Sequence, residues 1–276
     1  MRRPPPDPNR PHPMSDSNMS RMVHFDKLPG AVQDLVRDMP VWRTEFALLN
    51  EVAVTIYVPE SLATEDEFEF CELNPGMDEC FLRLIRPTDH DPLRRQWPMP
   101  GKGFESVTEK ELILRLDAGF FETQAETDAY FEHDPITIFG LRRCLLARPE
   151  GTQKLLELFG ASLSSRAATY TEEVLNRMAP QLTVMDVVTV LDAIDLERSS
   201  YSLENLGNGY FYVGDFKHVH LRPDVTKGQL LFRPSRAVHL MCVAKSVFPE
   251  LAATSPNIRF KTLTGPYQPE SSLKQW

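Results

Sequence analysis

Residues 210–221, Tyr210-Phe211-Tyr212-Val213-Gly214-Asp215-Phe216-Lys217-His218-Val219-His220-Leu221, decide how the chain is read. Aromatic and β-branched side chains dominate, and Gly209 and Pro223 close the two ends, so the stretch predicts a strand. Twelve residues are long for one strand, and Gly214 is the place for a break or bulge. Gln229–Arg233 predicts a second strand, joined through the turn Thr226-Lys227-Gly228. Ser235 offers an N-cap for a helix over Val238–Val247, ended by Pro249. The last third therefore reads as a strand-rich unit with one packed helix.

Working outward, Val52–Val58, Phe68–Leu73 and Cys80–Ile85 carry strand composition, with Asn74-Pro75-Gly76 as a turn. Strands this close in sequence favour an antiparallel meander, because a parallel sheet needs long crossovers between them. Apolar residues at 28, 31, 32, 35, 36 and 39 keep helical spacing up to Pro40. Thr123–Phe131, Thr152–Leu163, Ala167–Met178 and Thr183–Ile194 predict a central helical region; Leu112–Leu116 and Ile136–Leu146 fit helix or strand. The class is α+β: an antiparallel β-meander, a central helical region and a C-terminal strand-rich unit with one packed helix.

Six prolines among the first 13 residues predict an extended, hydrated leader over 1–24, with the start open among Met1, Met14, Met19 and Met22. Residues 25–198 then hold the mixed antiparallel sheet and helical region, and 199–276 a basic α+β region. The boundary is placed where Ser199, Ser200, Asn205, Gly207, Asn208 and Gly209 gather, unless both parts share one core.

The chain has 276 residues, 42% hydrophobic and 25% charged, enough apolar material for a sizeable core. No apolar run reaches the ~20 residues of a membrane span. A net charge of -9 disfavours a protein built around gripping phosphate backbone. Cys71, Cys80, Cys144 and Cys242 form no CxxC pair, and their apolar neighbours mark them as reduced, buried thiols. A cytoplasmic protein with no membrane association is expected.

Several groupings carry the residue types of a chemical site. His218 and His220 are two apart, which in a strand puts both imidazoles on one face; His239 from the next element could complete a non-haem iron or zinc site. The plainer alternative is a wet aromatic–imidazole face shared with Tyr210, Tyr212 and Phe216, with no metal. Asp89-His90-Asp91 and Glu132-His133-Asp134 hold acid–base side chains, but adjacent residues rarely face one centre. Asp128 and Glu132 are four apart without an ExxH partner. Cys242 lies three residues from His239, the spacing of a thiol–imidazole pair on a helix. The chain has no GxGxxG, Walker lysine, HExxH, calcium loop or GxSxG.

Charge is unevenly placed. Residues 210–276 carry nine basic and four acidic side chains, whereas 1–209 have a net charge of -14. Tyr210, Tyr212, Phe216, Lys217, Arg222, Arg233 and Arg236 make the best candidate recognition surface. The leading expectation is an intracellular accessory subunit, without catalysis of its own, that binds a protein or acidic peptide there. A metal-dependent enzyme built on the histidines is the second reading. A nucleic-acid accessory protein is the third, and the overall acidity disfavours it.

Overall fold

The computed structural model describes residues 21–39, 56–57, 70–75, 82–85, 101–104, 113–116, 138–141, 144–170 and 181–263. The fold is mixed α+β, with most strand pairs antiparallel. In chain order come β1 (Met22–His24), α1 (Gly30–Val36), β2 (Ile56–Tyr57), β3 (Phe70–Pro75), β4 (Leu82–Ile85), β5 (Ile113–Leu116), β6 (Ile138–Leu141) and β7 (Cys144–Ala147). Next are α2 (Pro149–Phe159), β8 (Leu163–Ala167), β9 (Thr169–Tyr170), β10 (Thr183–Val187), β11 (Val190–Leu191), β12 (Ser200–Gly207) and β13 (Tyr210–His218). The chain continues through α3 (Pro223–Thr226), β14 (Leu231–Pro234), β15 (Cys242–Ala244), α4 (Phe248–Thr254) and β16 (Ile258–Thr262). The strands form four sheets, ordered β1-β13-β12-β2, β6-β7-β10-β8, β11-β14-β15-β3-β16 and β4-β5-β9.

The expected meander is not formed. β2 pairs with β12, β3 lies between β15 and β16, and β4 pairs with β5, so the three neighbouring strands enter three sheets. Asn74 and Pro75, read as a turn, belong to β3, with Pro75 at its end opposite Ile258. Strand composition reports that a segment extends, whereas its partners are chosen by long-range burial.

The central helical region is likewise corrected. Thr183–Ile194 contains β10 and β11, and Ile138–Leu141 and Cys144–Ala147 are the paired strands β6 and β7. Val184 to Val187 and all of β7 are buried, so both faces carry apolar groups and no period of two is visible. Ala167 closes β8 and Thr169–Tyr170 is β9; 171–180 and 123–131 lie outside the described residues. Among the described residues of this region the helix is α2, which opens on Pro149, whose missing N–H falls where no intrahelical acceptor exists. It stops at Gly160, which takes φ 38°.

Proline reverses meaning again near the C-terminus. Pro249, expected to end a helix over Val238–Val247, sits in the first turn of α4 instead. Ser235–Ala237 is a single 3-10 turn, and Cys242–Ala244 is buried strand β15.

Two helices seal separate cores. Val32 and Val36 of α1 pack with Leu28 and Val23 against Tyr201, Leu203, Phe211 and Val213 of β12 and β13. Leu155 and Phe159 of α2 join Leu145, Met185, Val187, Leu231, Val243 and Leu251. The Ser- and Gly-rich stretch at 199–209, read as a boundary, is strand β12 and its turn, paired on one side by β13 and on the other by β2. Met22–His24, assigned to the leader expected over 1–24, are strand β1 and pair with Tyr212–Tyr210; 1–20 lie outside the described residues.

Candidate functional site

The β12–β13 hairpin turns at Asn208 and Gly209, which take φ 52° and 78°. Successive positive φ angles match the right-handed strand twist, and Asn-Gly tolerates them best. Beyond the turn the strand alternates: Phe211 and Val213 are buried against α1, while Tyr210 is 43% exposed and Tyr212 half-buried on the opposite face. β1 completes that outer face. Its His24 lies across from Tyr210, and the two rings meet edge to face at 5.1 Å. Arg21 donates from Nη1 to the Tyr212 hydroxyl at 3.0 Å, with its guanidinium 5.8 Å from the ring centroid. Its Nη2 lies 3.5 Å from Nδ1 of the exposed His239.

The irregularity expected near Gly214 is present and changes the membership of that face. Ser200 pairs with His218 and Ser202 with Gly214, so a two-residue step on β12 spans four on β13. A Cβ on Gly214 would stand 2.7 Å from Ser202 Oγ. Past the bulge Phe216 does not join Tyr210 and Tyr212; it packs on both hydrophobic cores it adjoins, 5.8 Å from the buried Tyr201 ring. Lys217 is exposed.

The basic residues divide further. Arg233 is not a surface residue: its side chain is fully buried, 3.1 Å from Asp186. Arg236 pairs with Asp192 at 3.2 Å, and Arg222 with Asp224 at 3.0 Å. The hydrogen bond from Arg222 holds the Asp224 carboxyl below its ordinary range. Two of these pairs, Asp186–Arg233 and Asp192–Arg236, join the acidic part of the chain to the basic third, so part of the charge split is spent inside one fold.

The histidines are not brought to one centre. His218 ends β13 half-buried, while His220 is buried, its N–H bonded to Ser199 Oγ at 3.0 Å and its carbonyl accepting from the Asp195 N–H at 2.9 Å. His239 stands apart, beside Arg21. Among the described residues no group of three or more His, Cys, Asp or Glu side chains is placed to hold a metal ion. His239 and Cys242 share no helix, since Cys242 is buried in β15. Burial pushes the Cys144 thiol up to about 12, with Asp186 adding to the rise and Arg233 opposing it, so this thiol stays protonated. Asp89-His90-Asp91, Asp128 and Glu132-His133-Asp134 lie outside the described residues.

An open groove of about 570 Å³ runs beside α2, lined by Pro149, Thr152, Gln153, Leu156, Glu157, Gln181 and Thr183. None of the candidate site residues named from the sequence lines it. Among the described residues no helix is long and apolar enough to cross a membrane. Arg21 and His24 were missed because they lay in the stretch assigned to the leader. Their signal was Met22-Val23-His24-Phe25, in which apolar residues interrupt the polar sequence. No protein-family model matches the chain, and no curated protein is significantly similar to it.

Proposed function

We propose that the chain is an intracellular binding protein, an accessory subunit that docks a protein or extended peptide on the outer face of β1 and β13. The observation that carries this reading is Tyr210. A large amphipathic ring stands 43% exposed on a regular strand, fixed edge to face against His24 rather than left loose. Such a ring loses little freedom on docking and offers both apolar area and a hydroxyl. Tyr212 lies two residues along the same face, and exposed Lys217 supplies a rim charge. Cys144 and Cys242, buried and outside any disulfide, suit a reducing compartment. The metal and nucleic-acid readings draw no comparable support, since the described histidines form no metal-binding group and Arg222, Arg233 and Arg236 sit on carboxylates.

The test uses a partner recovered by affinity purification of the full chain and then produced pure. Tyr210→Ser and Lys217→Glu should each weaken its binding while leaving the thermal midpoint in place. Unchanged affinity in the Tyr210→Ser, Lys217→Glu double variant would remove this face from consideration.

A further inference from the structure

Arg37, Arg222, Arg233 and Arg236 each sit on a carboxylate, of Asp34, Asp224, Asp186 and Asp192 respectively. Arg21 does not. Its described partners are the Tyr212 hydroxyl at 3.0 Å and His239 Nδ1 at 3.5 Å, both of them uncharged acceptors when the imidazole is neutral. A guanidinium presents five N–H donors in a rigid plane, and two contacts leave the greater part of that fork unused. The position is also set in advance. The Arg21 carbonyl accepts from the Val213 N–H at 2.9 Å, continuing the β1–β13 ladder to the root of the side chain. The Tyr212 ring and hydroxyl then fix the tip.

We infer that Arg21, held by Tyr212 and flanked by His239, is a carboxylate-binding site for an aspartate or glutamate of the docked partner. This rests on the proposed docking face and names the partner's chemistry: an acidic peptide segment. The attraction is charge-assisted and bidentate in form, which gives it direction as well as strength. It also joins distant parts of the chain in one site. Arg21 immediately precedes β1, and His239 follows the 3-10 turn Ser235–Ala237 in the basic third.

The probe is a short fluorescent peptide of alternating glycine and glutamate, with a glutamine version as control, titrated against the full chain at low salt. The glutamate peptide should bind saturably and the glutamine peptide should not. Arg21→Gln should weaken the glutamate peptide about tenfold or more, the scale of a lost charge-assisted contact. Arg21→Lys should recover only part of that, because an ammonium lacks the fork. Lys27→Gln, an exposed cation on the neighbouring turn, should change nothing, and the thermal midpoint of Arg21→Gln should match the parent. Equal binding of the two peptides, or indifference to Arg21→Gln, overturns the site. So does tighter binding of a thymidine oligonucleotide than of the glutamate peptide. If Tyr210→Ser weakens the purified partner while Arg21→Gln leaves both partner and peptide binding intact, the docking face stands and the carboxylate site falls.

Discussion

Arg233 and Asp186 form an ion pair at 3.1 Å with neither side chain exposed, and it fastens β14 to β10 across two sheets. Burying two charges costs several kcal/mol per ion unless the remaining donors and acceptors are met. Here they are. Arg233 Nε donates to the Val187 carbonyl at 3.1 Å and Nη1 to the Val238 carbonyl at 2.7 Å. Asp186 Oδ2 accepts the Gly103 N–H at 3.0 Å, which pins the 101–104 segment to the same point. The network aligns two sheets, a loop and the turn leading to His239.

Replacing Arg233 with methionine leaves Asp186 buried without its cation. A loss of about 3–5 kcal/mol is expected by urea denaturation, the usual result of removing one member of a buried pair. Arg233→Met combined with Asp186→Leu should be more stable than Arg233→Met alone, because no lone charge remains. A loss of less than about 1 kcal/mol in the single variant would show that the pair does not hold the sheets together.

Gly214 is a second point of tight fit. A Cβ there meets Ser202 Oγ at 2.7 Å and a Tyr212 ring carbon at 3.2 Å. Gly214→Ala should cost about 1–3 kcal/mol, as overpacking does, and should move the Tyr212 ring. Adding Ser202→Ala removes the nearer atom and should restore part of the loss, read from the denaturation midpoint. An unchanged midpoint for Gly214→Ala would mean that the bulge absorbs the methyl group freely.

Alkaline stability follows from Cys144. Its folded pKa, about 12, lies above the ordinary 9.0, chiefly through burial. The folded state therefore holds a proton that the unfolded chain gives up. The resulting stability is complete below about pH 9 and is lost as pH climbs towards 12. Tyr201 is raised by burial in the same sense and deepens the loss. Iodoacetamide at pH 8 should leave Cys144 unmodified in the native protein and alkylate it in denaturant. Cys144→Ala should make the stability curve flatter above pH 9. Rapid alkylation of native Cys144 at pH 8 would contradict its burial.

Much of the local structure was legible in the sequence. The helical spacing around Val32 and Val36, the irregular strand at Gly214 and the strand around Phe232 all appear where the side chains indicate. What failed is physically related. β10 was read as a helix because burial on both faces removes the alternation that marks a strand. The strand order was not available locally: Cys71 pairs with Val243 and with Thr262, partners more than 170 residues away. Pro249 was read as a stop because proline's missing donor is equally tolerated at a helix start. The candidate surface was half legible. Period-two spacing placed Tyr210 and Tyr212 together, but the bulge turned Phe216 inward, and composition alone could not show that Arg233 is matched by a buried carboxylate.

The central claim is that a partner covers the outer face of β13, and photo-crosslinking tests it most directly. A benzoylphenylalanine placed at Tyr210 in the full chain should yield a discrete crosslinked species in cells, whereas the same group at exposed Leu35 of α1 should not. Competition with the purified partner should remove the crosslink. If position 210 gives no species above the level at Leu35, or if Leu35 captures the partner and Tyr210 does not, the docking face assigned to β1 and β13 is wrong.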